Sequence, residues 1–199
     1  MARFRFSSRP RLVRRGSESG FSLMEVMVAT GILATAVVTL AQLFAVSTRM
    51  NLGARNVSYA SILAEQKIEE LRALTWGFDS EGLPVSDLQT NTAVDPEDTN
   101  GGTGLRPSPS DSLRENTIGY VDFIDAFGSK VGNGDPTPPG DAVYTRRWSI
   151  HPLPTNPNNT LIIQVLVTPV RERGQADQGT VARLPEEARI VTVKTRKAQ

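Results

Sequence analysis

Glu25 stands flush against an uncharged apolar run, Val26 to Val46, whose only polar residues are threonines and Gln42. A carboxylate carried to the centre of a bilayer costs ~2.5–3.5 kcal/mol on insertion scales, so this position calls for a partner. Three other groups could carry chemistry. Asp95, Glu97, Asp98 and Asn100, followed by Gly101, offer oxygens suited to calcium, but their spacing is not that of an EF-hand loop. The competing reading is a solvated acidic loop. Arg146, Arg147 and Trp148 could hold a nucleic-acid strand by charge and stacking. The competing reading puts Trp148 in the core and the arginines at the solvated side or rim of a sheet. His151, the single histidine, precedes Pro152 and has no accompanying triad pattern, which makes it a surface or turn residue. No P-loop, dinucleotide fingerprint or Cys/His metal spacing occurs, and no cysteine, so disulfides and thiolate chemistry are excluded. The expectation is a non-enzyme with no catalytic residue, no metal ligand and no cofactor.

The run Val26–Val46 is about 21 residues, or ~30 Å as a helix, which matches the hydrocarbon thickness of a bilayer. Arg3, Arg5, Arg9, Arg11, Arg14 and Arg15 precede it, against Glu18 alone. The positive side stays in the cytoplasm, so the remainder is exported. Three readings compete: a conventional secretory signal ending at Ala34-Thr35-Ala36, a single-pass anchor, and a filament-subunit precursor. Glu25 discriminates, because a signal's apolar region gains nothing from it.

Gly20-Phe21-Ser22-Leu23-Met24-Glu25-Val26, preceded by arginines and followed by an apolar helix, resembles the processing signal of type IV pilins and type II secretion pseudopilins. The resemblance covers the N-terminal third of the chain. It implies cleavage between Gly20 and Phe21 by a membrane-embedded prepilin peptidase, with N-methylation of Phe21. Glu25 becomes the acidic fifth residue of the mature subunit, which sets assembly. The new α-amino group, with an intrinsic pKa near ~8, and the Glu25 carboxylate of a neighbouring subunit are each costly in hydrocarbon and can satisfy one another. The implied partners are the peptidase, other pilins or pseudopilins, and an inner-membrane assembly platform. The implied location is the inner membrane, N-terminus in the cytoplasm and head in the periplasm, and then a filament. Gly31, Thr35 and Thr39 recur every four residues, as a small-residue packing face or simply as membrane-helix composition. Many major pilins carry a proline where this chain reads Leu40-Ala41-Gln42-Leu43, which favours a minor subunit.

Loss of the first twenty residues removes six arginines and one glutamate from totals of 22 basic and 21 acidic side chains. The 16 basic and 20 acidic that remain give a net of −4, so nucleic acid is not an expected partner of the whole domain. The helix continues to about Leu74, with Val57, Ala60, Ala64, Ile68 and Leu71 as an apolar stripe and Glu65, Lys67, Glu69, Glu70 and Arg72 on a solvated face. The stretch Ala60–Leu71 resembles the helix end of V-type minor pilins and I-type minor pseudopilins.

Gly77 to Ala142 holds ten glycines and seven prolines, which rules out a helical period. It reads as a connecting region with one strand, at Ile118–Ile124, and a mobile part around Asn91–Ser112. Val143–His151, Leu161–Thr168 and Arg189–Thr195 read as strands. Tyr144-Thr-Arg-Arg-Trp148 again looks like the V-type subunits.

The expected organisation is a leader at 1–20, an assembly helix at 21–46, its amphipathic continuation at 47–75, the connecting region at 76–142 and a sheet at 143–199. That is an α+β fold, a long N-terminal helix packed on a C-terminal antiparallel sheet. The expected function is a minor pilin that takes part in assembly or priming. A minor pseudopilin and a membrane-anchored periplasmic binding or adhesive domain are the alternatives.

Overall fold

The computed structural model describes residues 20–170 and 186–197. Apart from Gly20, the expected leader lies outside them, as do residues 171–185 between the last two expected strands. The chain divides into two compact units, with the boundary between Ser47 and Thr48.

Helix α1, Leu23–Ala73, begins in the first unit. Ser22 starts it: its carbonyl accepts from the Glu25 and Val26 amides at 3.0 and 3.1 Å, as expected of a residue at the cap position. No proline interrupts the 51 residues. Every residue from Gly20 to Met50 is exposed, and this stretch is long and apolar enough to cross a membrane. Its threonines satisfy themselves locally. Thr30 Oγ1 donates to the Val26 carbonyl at 2.9 Å, Thr35 to Gly31 at 2.9 Å and Thr39 to Thr35 at 2.8 Å. Each hydroxyl is thereby bonded within the helix and needs no partner from its surroundings.

In the second unit the rest of α1 lies on a five-stranded antiparallel sheet, so the fold is α+β. The strands are β3 (Val121–Ile124), β4 (Lys130–Val131), β5 (Tyr144–Pro152), β6 (Thr160–Pro169) and β7 (Ala188–Thr195), in the order β4-β3-β5-β6-β7. A separate hairpin pairs β1 (Trp76–Phe78) with β2 (Pro84–Ser86). Where the sequence suggested one strand between 76 and 142, four short ones form, because two- to four-residue strands leave no periodic signature.

Ala60, Leu63, Ala64, Ile68 and Leu71 of the helix meet Trp148, Ile150, Ile163, Val165 and Val167 of the sheet in one core. The register sets Trp148 against Val165 and Ile150 against Ile163, so each pair stacks under the same stretch of helix. The segment expected to be mobile packs into this core through Ala93 and Leu105. Two of its glycines serve close approach. A Cβ on Gly102 would lie 2.2 Å from the Asn91 Cα, and the Gly102 and Gly104 amides donate to Gln89 and Thr90 carbonyls.

Candidate functional site

The residues expected to carry function gather at the start of α1. Gly20 and Phe21 precede the helix, and Phe21 is 81% exposed. Glu25 lies in the first turn, where amide groups face outward and the helix dipole favours a carboxylate by ~0.3–1 kcal/mol. Ser22 and Glu25 stand at the spacing of a capping box. The turn therefore gives Glu25 a local role in starting the helix besides any role toward a neighbour. Ala34, Thr35 and Ala36 lie within the unbroken helix.

The other chemistry-bearing residues go elsewhere. His151 sits at the end of β5, half-buried, opposite Ile162. Among the described residues no three His, Cys, Asp or Glu side chains are grouped to hold a metal ion. Trp148 is fully buried in the core. The arginines beside it correct the expectation of a solvated side or rim, since Arg146 is 0% and Arg147 3% exposed. Arg147 points to the far face of the sheet, donating from Nε to Asn116 Oδ1 at 2.9 Å.

Arg146 faces the helix within a buried ion network that the sequence did not suggest. It lies directly across from Asp122 on β3 and forks onto it, Nε to Oδ1 and Nη2 to Oδ2, both at 2.8 Å. Its Nη1 donates to the Leu63 carbonyl at 3.1 Å, tying sheet to helix. Lys67, expected on the solvated face, is also fully buried. Its ammonium meets Asp122 Oδ2 at 3.1 Å, Glu70 Oε2 at 2.8 Å and the Thr92 carbonyl at 2.6 Å, and lies 3.8 Å from the centre of a Trp148 ring. Lys130 from β4 pairs with Glu70 Oε1 and donates to Thr92 at 3.0 Å. The helical spacing of Lys67 and Glu70 was visible. Their buried partners were not, because Thr92, Asp122 and Lys130 come from distant segments.

Burial works to raise the Asp122 pKa, but Arg146 and then Lys67 hold it below the ordinary carboxylate value. Lys67 is lowered, its burial outweighing Asp122 and Glu70. The two directions agree once Arg146 is recognised as the main partner of Asp122. This cross-linked set, closed at Lys67, Asp122 and Arg146 and reaching the surface at Glu70 and Lys130, locks sheet, helix and the Thr92 segment together.

Compared with protein-family models, with curated proteins and with solved structures, the chain matches none. What stands is a long, apolar N-terminal helix packed along its second part on an antiparallel sheet, a pilin-like arrangement with one segment able to cross a membrane.

Proposed function

We propose that this chain is the precursor of a type IV pilin-like filament subunit, a minor pilin cut between Gly20 and Phe21 and methylated at Phe21. The observation that carries the proposal is the junction itself. Gly20-Phe21 leads within five residues to Glu25, and from there into an apolar helix that is exposed along its whole first unit. An apolar surface of that extent must be covered by lipid, by other helices or by both. The subunit crosses the inner membrane once, N-terminus inside, and moves into the filament through this helix. Cleavage supplies the amine that makes a buried Glu25 tolerable in a neighbour's bundle. The head contributes no catalysis; its ion network keeps it rigid while the helix assembles.

N-terminal sequencing and mass measurement of the membrane-extracted protein test this reading. The expected start is a methylated Phe21. A start at Val37 would assign a secretory signal, and an intact leader would assign a plain membrane anchor carrying a periplasmic binding domain.

A further inference from the structure

Among the described residues the five-stranded sheet has one long end strand. At one end stands β4, only two residues long; at the other stands β7, with eight. An edge strand presents a row of amide and carbonyl groups available to another chain. Val191 and Val193 add apolar side chains, 54% and 56% exposed.

Past its C-terminal end β7 meets the β1–β2 hairpin through a bridge between Gly77 and Lys197. Beside this junction a groove of about 820 Å³ opens, lined by Val193 and Lys194 of β7, Trp76 and Phe78 of β1 and the end of α1. That volume falls within the ~300–1,000 Å³ of ligand-binding clefts.

The groove is cationic: Arg72, Lys194 and Lys197 line it against Glu69. Lys194 is committed, donating to the Leu71, Arg72 and Leu74 carbonyls at 3.3, 2.5 and 2.7 Å and so capping the helix. Burial, then Lys197 and Arg72, lower its pKa to about 8, as crowding by like charge requires. Arg72 and Lys197 face solvent. Among the described lining residues the one counter-charge, Glu69, holds Arg72 at 2.8 Å through an exposed pair of the kind a competing carboxylate readily displaces.

We propose that this groove receives an extended acidic segment of another polypeptide, which adds to the β7 edge as a further strand. Its carboxylates meet Arg72 and Lys197, and its apolar side chains lie on Val193 and Trp76. Backbone pairing supplies affinity and the charges supply selection, as in other strand-addition sites. Two other occupants fit less well. A second copy joined edge to edge brings a strand carrying Arg189, Lys194, Arg196 and Lys197 against its like. A single-stranded nucleic acid needs an open aromatic face, but the Arg196 guanidinium lies 3.7 Å from the centre of the Trp76 ring and covers one side. The proposal concerns the second unit alone and stands whether or not the chain enters a filament.

The test uses the full chain in detergent micelles and the fluorescence anisotropy of labelled octapeptides that alternate valine with glutamate, glutamine or lysine. The glutamate peptide binds, about tenfold tighter than the glutamine one, and loses affinity as salt is raised; the lysine peptide does not bind. N-methylation of alternate peptide amides costs at least about tenfold by blocking strand addition. The double variant Arg72→Glu with Lys197→Glu, both exposed positions, reverses the charge preference. Equal binding of the three peptides, indifference to N-methylation, tighter binding of a single-stranded octanucleotide, or self-association of the chain in place of peptide binding would each overturn the proposal. The peptide and salt arms need no variant, so they decide even if the double variant misfolds.

Discussion

At the scale of single residues, the head rests on Asp122 more than on the lysine that first draws attention. Asp122 is the closest acceptor shared by Arg146 and Lys67, with Glu70 a more distant second for Arg146 at 3.9 Å, and the Asp122, Arg146 and Lys67 side chains are out of water. Asp122→Asn leaves two buried cations short of an anion, and a broken buried pair costs about 3–5 kcal/mol. Lys67→Met leaves Asp122 with Arg146, and Glu70 and the Thr92 carbonyl with Lys130, so its cost is nearer 1–2 kcal/mol. Denaturant unfolding at pH 7 should rank the two variants in that order. Acid should act through the same carboxylates. Asp122 and Glu70 are both held below their ordinary values, 3.8 and 4.5, against the opposing effect of burial. Their stabilisation is full above pH 5 and is lost as pH falls through the depressed native values. The unfolding midpoint should therefore fall steeply below about pH 4, and Asp122→Asn should flatten that fall.

At the scale of elements, the sequence and the structure agree where a period is long and part company where a charge is buried. The helix, its apolar stripe and the three long strands were legible because 3.6- and 2-residue repeats persist over many residues. Lys67 was misplaced because helical spacing records which face a residue shares, not what covers it. Asp122, which neutralises Lys67 and Arg146, is 55 residues away from Lys67 in the chain. The Asn91–Ser112 stretch looked loose because glycine signals both freedom and close packing, and here packing applies. The clamp on the β1–β2 hairpin was invisible for the same reason as Asp122: Arg196 reaches back to the Gly77 and Val85 carbonyls and Ser86 Oγ. The acidic loop carries a prediction of its own. Glu97 shares a hydrogen bond with Glu70, and this, then burial, then the Glu70 charge, raises its pKa above 4.5. In the folded state ionised Glu97 is disfavoured, a cost absent at low pH that grows as pH rises through its native value. Glu97→Gln keeps a donor for Glu70 without the charge. It should raise the unfolding free energy at pH 7, by less than ~1 kcal/mol because the side chain is largely exposed, and by almost nothing at pH 4, as denaturant unfolding at the two pH values would show.

At the scale of the whole molecule, two explanations of Glu25 meet. Within one chain it stabilises the first turn of α1; between chains, on the proposed function, it neutralises the amine of Phe21. The first is worth ~0.3–1 kcal/mol to the helix start, while an unpaired carboxylate or ammonium in an apolar bundle costs more. Glu25→Ala should therefore leave the protein processed and in the membrane but lower its recovery in sheared filaments by about tenfold or more. Met24→Glu added to Glu25→Ala separates the two roles. It restores a first-turn carboxylate, and with it the helix start, but turns the charge about 100° around the axis, away from the position a neighbouring amine would find. Recovery of helicity with no recovery of incorporation is the expected result. If the displaced carboxylate restores incorporation as well, Glu25 serves only the first turn, and register in the filament must be set by the apolar face of the helix.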